Sequence, residues 1–241
     1  MEASQLARWV AIPIGVGAIS TSGILIRLTE APPLVTATHR LLWAAGILLA
    51  AALVRHRHEF ALLRGRRLGL LAASGALVGV HFALWTSALF HTSVASAVLL
   101  TDTHPVLVAL AARAFLGETT TVGVWVGIAL TLVGSATIAG GDLQFGGAPL
   151  IGDAMALGAS ATFAGYLVLG RYIRQELGVV VYAGVVYGIG GLLIGLVATA
   201  SGVSLLEFSQ RDALVWLGLV LGPTLAGHTV FNWGCGTCLR P

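Results

Sequence analysis

Charge is the first thing this chain lacks. Only 10% of its 241 residues are Asp, Glu, Lys or Arg, against about a quarter in an ordinary soluble domain. Lysine is absent altogether, and all 13 basic residues are Arg. That bias points to a GC-rich genome rather than a nucleic-acid partner, because the arginines gather at chain turns and not along one face. Cysteine is scarce as well: Cys235 and Cys238 are the only two, at the C-terminal end. They imply no disulfide framework, and a lone Cys-x-x-Cys pair is weak support for zinc. No Walker loop, Gly-rich dinucleotide turn, nucleophile elbow or His-Glu-x-x-His helix occurs. No cofactor, metal or catalytic set is therefore expected.

What fills the chain is hydrocarbon. Hydrophobic residues make up 57% of it and the mean hydropathy is +0.92. Eight apolar runs are read, over 9–28, 35–54, 68–90, 94–116, 122–139, 150–170, 179–200 and 213–233. Each is near the ~20 residues that cross a bilayer. Lipid offers the backbone no hydrogen bonds, so each run must be helical, and the runs are continuous rather than alternating as in a barrel. The expected fold is all-α, a polytopic membrane bundle of about eight transmembrane helices. The first run continues through Ile24 to Leu28 with no small-residue cleavage site, so it reads as an uncleaved span.

Orientation follows from arginine. With the N-terminus cytoplasmic, Arg8, Arg55, Arg57, Arg64, Arg66, Arg67, Arg113, Arg171, Arg174 and Arg240 lie inside, Arg27 and Arg211 outside, and Arg40 within a span. The expected location is the cytoplasmic membrane, multi-pass. The loop from Arg55 to Arg67 anchors that topology and could also meet anionic lipid. His56 and His58 in it flank Arg57 and do not read as a metal site.

The stretch Ser93 to Asp142 organises the rest: two apolar runs joined by a short polar turn, with Asp102, His104 and Pro105 at membrane depth. Ionisable groups there default to functional candidates. Asp102 and His81 lie about nine residues from the outer ends of their runs, roughly 13 Å deep at ~1.5 Å per residue. They could pair, and an Asp–His pair could exchange a proton near neutral pH or serve only as a buried hydrogen bond that fixes packing. Pro105, after His104, frees a carbonyl and kinks the helix. Arg40 could attract an anionic substrate group or snorkel outward. Trp85 reads as a pocket wall or an interface anchor. His228 and Asn232 stand one turn apart. Ser20, Thr21, Ser22 and Thr162 are expected to back-bond to their own helices, and Glu118 to cap a helix end.

Two further patterns concern assembly. Gly75/Gly79, Gly123/Gly127, Gly184/Gly188, Gly191/Gly195 and Gly218/Gly222 are small-xxx-small pairs that let backbones approach. A weak internal repeat relates Gly17–Thr21 to Gly158–Thr162, and Leu68-Gly69-Leu70 with His81 and Trp85 to Leu217-Gly218-Leu219 with His228 and Trp233. The offset is five runs. An odd offset inverts the second copy, an arrangement common in secondary transporters.

Those residues carry a resemblance. His39-Arg40-Leu41-Leu42, Val94-Ala95-Ser96-Ala97, His104-Pro105, Leu116-Gly117-Glu118, Gly127–Gly134 and Ala226-Gly227-His228-Thr229 through Asn232-Trp233 follow one another in an order and spacing that resembles EamA-type permeases of the drug/metabolite transporter superfamily. The resemblance spans essentially the whole chain. It implies ten helices in two inverted five-helix halves and transport without ATP hydrolysis. On that pattern residues 1–141 form the first repeat and 149–241 a second, incomplete one. Where the family continues Ala-Leu-Arg-Tyr-Leu-Pro-Ala, this chain reads Gly234 to Pro241. A two-base shift of permissible codons for that tail spells Leu-Arg-Tyr-Leu-Pro-Ala-Ala, so a frameshift is expected to have truncated the frame, which sequencing the 3′ end would test.

The function expected is a secondary permease or exporter of small organic metabolites, amino acids or drugs by alternating access. The alternatives are an integral-membrane enzyme acting on lipid and a non-functional truncated permease. Expected partners are the solute and the bilayer, with no nucleic acid; a homodimer stays open.

Overall fold

A computed structural model describes residues 3–116, 121–142 and 147–229. Among them every regular element is helical: α1 Ala3–Ser20, α2 Ser22–Arg27, α3 Pro33–Arg55, a 3-10 turn Arg57–Leu62, α4 Arg66–Ala88, α5 Val94–Thr101, α6 His104–Leu116, α7 Val122–Asp142, α8 Gly147–Ile173, α9 Val179–Ala200 and α10 Gln210–Leu219. The last continues as a π-helix, Val220–His228. The chain is a polytopic helical membrane bundle.

Among the described residues, five segments are long and apolar enough to cross a membrane: Pro33–Arg55, Arg66–Ala88, Val94–Ala111, Pro149–Ile173 and Val179–Ala200. Pro13–Arg27 and Val122–Gly134 are apolar but shorter. Helix length and hydropathy thus mark five spans, where the sequence shows eight apolar runs. Part of the difference is that the first and last runs are interrupted helices. Leucines such as Leu130, Leu192 and Leu196 stand exposed on the outside, which hydrocarbon solvates and water would not.

The centre is an antiparallel pair, α3 and α9. Thr38, Leu42, Ala45 and Leu49 of α3 face Gly195, Gly191, Gly188 and Gly184 of α9 in reverse order. A Cβ on Gly191 would stand 2.8 Å from Leu42 Cδ2, so glycine lets the helices close. α4 crosses the same helix: a Cβ on Gly79 would meet the Gly190 Cα at 3.0 Å, and one on Gly75 the Ile189 side chain at 2.6 Å. Without a solvophobic drive between helices in lipid, such close contact supplies the dispersion that holds them. The Gly123/Gly127 and Gly218/Gly222 pairs do not act this way. Gly127 and Gly222 have nothing within 4 Å, so three of the five glycine pairs are packing surfaces and two are not.

The ends of α3 and α9 are clamped alike. At the Pro33 end, the Arg211 Nη1 donates to Glu30 Oε1 at 3.0 Å, and Asp212 Oδ1 accepts from the Glu30 and Ala31 amides at 2.8 and 3.2 Å. The Trp216 indole donates to Thr36 Oγ1 at 3.3 Å. At the Arg55 end, Arg67 pairs with Glu176, and Glu59 Oε2 accepts from the Gly178 amide at 2.6 Å. Ser74 and Tyr182 share a hydroxyl bond of 2.8 Å. The positions correspond: Glu30 and Glu176 each precede a long helix by three residues, Arg67 and Arg211 are each the second residue of theirs, and Thr36 and Tyr182 the fourth. α3 begins at one face and ends at the other, so the two clamps lie on opposite faces.

Candidate functional site

A cavity of about 410 Å³ lies among α1, α2, α4, α5, α6, α8 and the π-helix, within the 300–1,000 Å³ range of ligand pockets. A second hollow of about 480 Å³, between α5, α6, α7 and α8, is walled by aliphatic side chains and Thr103. The Thr103 hydroxyl is committed to Leu100 O at 2.7 Å and Ser160 Oγ at 2.8 Å. Only the first cavity combines apolar walls with converging polar groups.

Three helix irregularities surround that cavity. Between α1 and α2, the Ser20 and Thr21 hydroxyls donate back to Val16 O at 2.9 Å and Ala18 O at 2.7 Å, and the helix breaks at Thr21. Such back-bonding bends helices. Between α5 and α6 the turn passes through Asp102 and Thr103, and Pro105 in the next turn has no N–H to continue the ladder. After α10 the π-helix contains Pro223, and the Thr224 hydroxyl donates to Leu219 O at 2.9 Å. Broken helices at depth in membrane proteins gather where they line a cavity.

Six of the residues singled out by the sequence line this cavity together: His81, Trp85, Asp102, His104, Pro105 and His228. Asn232 lies outside the described residues, as does Glu118. Three imidazoles ring one phenyl group, with centroids of His81, His104 and His228 at 4.6, 4.8 and 5.4 Å from Phe163. The His81 Nδ1 lies 2.9 Å from Ala159 O, and the His104 Nδ1 3.2 Å from Thr101 O. A carbonyl only accepts, so each Nδ1 carries the proton and a neutral ring keeps Nε2 as an acceptor. The Asp102–His81 pairing open from the sequence does not form: the two share the cavity, but no hydrogen bond or ion pair joins them. His81 is turned to α8, while Asp102 stands exposed at the break.

Of the two roles open to Arg40, the structure removes one. It does not snorkel; it is fully buried. Its Nε donates to Thr224 Oγ1 at 2.7 Å, its Nη1 to Ser22 Oγ at 3.0 Å, and its guanidinium lies 4.5 Å from the Phe82 ring centroid. It ties three spans together at two of the three irregularities. Ser22 therefore serves Arg40 and the cavity wall instead of its own helix. Ser20, Thr21 and Thr162 do back-bond as expected. Sequence reasoning passed over Phe163 and Thr224. Phe163 directly follows the repeated Gly158–Thr162 segment, which was a signal; Thr224 carried none. In the Arg55–Arg67 loop, the His56 Nδ1 lies 3.1 Å from Glu59, and no metal-ligand cluster occurs among the described residues.

The comparisons agree with this architecture. A family model described as EamA-like transporter family matches residues 10–140, more than half of the chain. Comparison with curated proteins finds no match. Thirteen chains of solved structures match; one of them, titled only as the crystal structure of a protein, superposes with a TM-score of 0.70. It covers 95% of this chain and 80% of its own length at 22% identity, a likeness of fold alone.

Proposed function

This chain belongs to the EamA-like transporter family, and from that premise we propose that it is a secondary permease for a small organic metabolite, amino acid or drug in the cytoplasmic membrane. The solute sits in the cavity between the broken helices, against His81, Trp85, Asp102, His104, Pro105 and His228. Two inverted halves, residues 1–141 and 149–241, rock around it.

The observation that carries this reading is the matched pair of clamps. Each joins the halves: Glu30 of the first half to Arg211 and Asp212 of the second, and Glu176 and Gly178 of the second to Arg67 and Glu59 of the first. Equivalent contacts on opposite faces are what an inverted repeat produces. Releasing one while keeping the other opens the bundle to one side only. The π-helix supports the same correspondence. His81 follows Arg67 by fourteen residues and His228 follows Arg211 by seventeen. The wider i→i+5 turns absorb the three additional residues, so both histidines reach the cavity, with ring centroids 6.2 Å apart. The Arg67 end carries Arg55, Arg57, Arg64, Arg66 and Arg174 as well, and the positive-inside rule makes it cytoplasmic, with the N-terminus on the same side.

Two cysteine pairs test this in vesicles: Arg67→Cys with Glu176→Cys, and Glu30→Cys with Arg211→Cys. A solute panel first identifies cargo by ATP-independent, saturable uptake. The cargo should then slow cross-linking at one clamp and speed it at the other. Uptake no faster than in empty vesicles, or equal effects at both clamps, would reject the proposal.

A further inference from the structure

Among the described residues, Arg40 is a buried cation with no anion beside it. Guanidinium stays protonated in proteins, and a charge held in the bilayer core without a partner is among the costliest things a membrane protein can contain. Here the side chain is fully buried, and its contacts are two hydroxyls and an aromatic face. The titratable groups whose charge interacts with it are Tyr187, His81 and His228, none a carboxylate. One of its nitrogens, Nη2, has no hydrogen-bond partner among the described residues.

That orphan donor stands one hydrogen bond behind the cavity wall. Nη2 shares its carbon with the Nη1 that bonds Ser22, and Ser22 is part of the cavity wall. The two groups that grip Arg40, Ser22 and Thr224, stand on a helix break and in the π-helix, the elements whose geometry is least tied to an α-ladder. The guanidinium is thus pre-oriented by Nε and Nη1, with its remaining edge unspent. In the low-dielectric bundle its unneutralised charge acts through that wall and favours an anion in the cavity. The rest of the cavity offers Trp85 and Phe163 as aromatic walls and Val16, Ile19 and Val98 as aliphatic ones.

We propose that Arg40 is the countercharge for an organic anion, so that the cavity takes solutes with a carboxylate on an aromatic or aliphatic body. This rests on the reading of the cavity as the solute site, and it commits to a sign of charge that the family leaves open. Ser22 and Thr224 are positioning residues that hold the fork. Asp102, which also lines the cavity, keeps a second carboxylate away from its own side and sets the orientation in which the solute enters.

The test uses the full chain in detergent with three isosteric probes, benzoate, benzamide and benzylamine, read by thermal shift and tryptophan fluorescence. Benzoate should bind at least tenfold tighter than benzamide. Arg40→Lys should keep a preference for the anion, and Arg40→Gln should abolish it. Should Arg40→Gln not fold, the guanidinium ¹⁵N resonances of the wild-type protein serve instead; they should shift with benzoate and not with benzamide. Equal binding of benzoate and benzamide, a preference for benzylamine, selectivity that survives Arg40→Gln, or resonances that ignore benzoate each overturn the proposal. Because binding is read without transport, selective benzoate binding by a protein that moves nothing would reject the permease reading and leave this one standing.

Discussion

Asp212 offers the sharpest test of the clamps. Its carboxylate accepts from the Glu30 amide at 2.8 Å, the Ala31 amide at 3.2 Å, the Ser209 amide at 3.1 Å and the Ser209 hydroxyl at 2.8 Å. The Ser209 amide bond, answered by the Asp212 amide donating to Ser209 Oγ at 3.1 Å, is a capping box that starts α10. Replacing Asp212 with Ala removes all four bonds. Losing a cap costs about 1 kcal/mol, and each amide deprived of a charged acceptor costs about 1–3 kcal/mol. Partial rehydration at the membrane surface favours the low end, so the loss should be about 3 kcal/mol. At roughly 2–4 °C per kcal/mol for a chain of this size, thermal unfolding in detergent should fall by roughly 6–12 °C. Asp212→Asn keeps an acceptor and should lose about half as much.

The same carboxylate carries a pH signature. Burial alone would raise its pKa, but the donors from Glu30, Ser209 and Ala31 outweigh burial and hold it below the ordinary value of 3.8. The native state therefore binds fewer protons than the unfolded state between those two values, and stability rises with pH across that window. The contribution is complete above about pH 4 and is lost as pH falls through the native pKa. Wild-type stability should drop below about pH 4, and the Asp212→Asn protein should lack that part of the drop. A melting shift under 1 °C for Asp212→Ala, or identical acid profiles, would refute the clamp as described.

Three other outcomes are expected. Gly79→Leu should separate α4 from α9 and destabilise the bundle by about 1–3 kcal/mol or more, while Gly127→Ala, which meets open space, should change stability little; unfolding in denaturing detergent compares them. Tyr182→Phe and Ser74→Ala should each cost about 1 kcal/mol and couple in a double-mutant cycle, since they remove the same bond; additive losses would contradict it. Exchanging the partially exposed pair through Arg67→Glu with Glu176→Arg should leave stability within about 1 kcal/mol of wild type, and either single reversal should impair transport more than the exchange does, measured by vesicle uptake of the identified cargo.

Helicity and membrane embedding needed nothing beyond composition, because a bilayer leaves a continuous apolar run no other way to satisfy its backbone. The break near Pro105 was equally legible, since the missing N–H is a local fact. Interaction across the fold was not. Arg40 is the clearest case: whether it reaches water or lies buried depends on Ser22 and Thr224, 18 and 184 residues away. The glycine pairs make the same point in reverse. Gly75/Gly79 and Gly123/Gly127 are alike as strings, and only the passage of α9 beside the first makes it a contact. The π-helix is set by what it meets across the bundle, Arg40 at Thr224 and His81 beside His228. Local chemistry and the solvent thus determined where this chain is helical and where it bends. Which bends meet, which charges lose their water and which side chains share a cavity were decided by long-range packing, because those energies belong to pairs of distant residues and not to any segment alone.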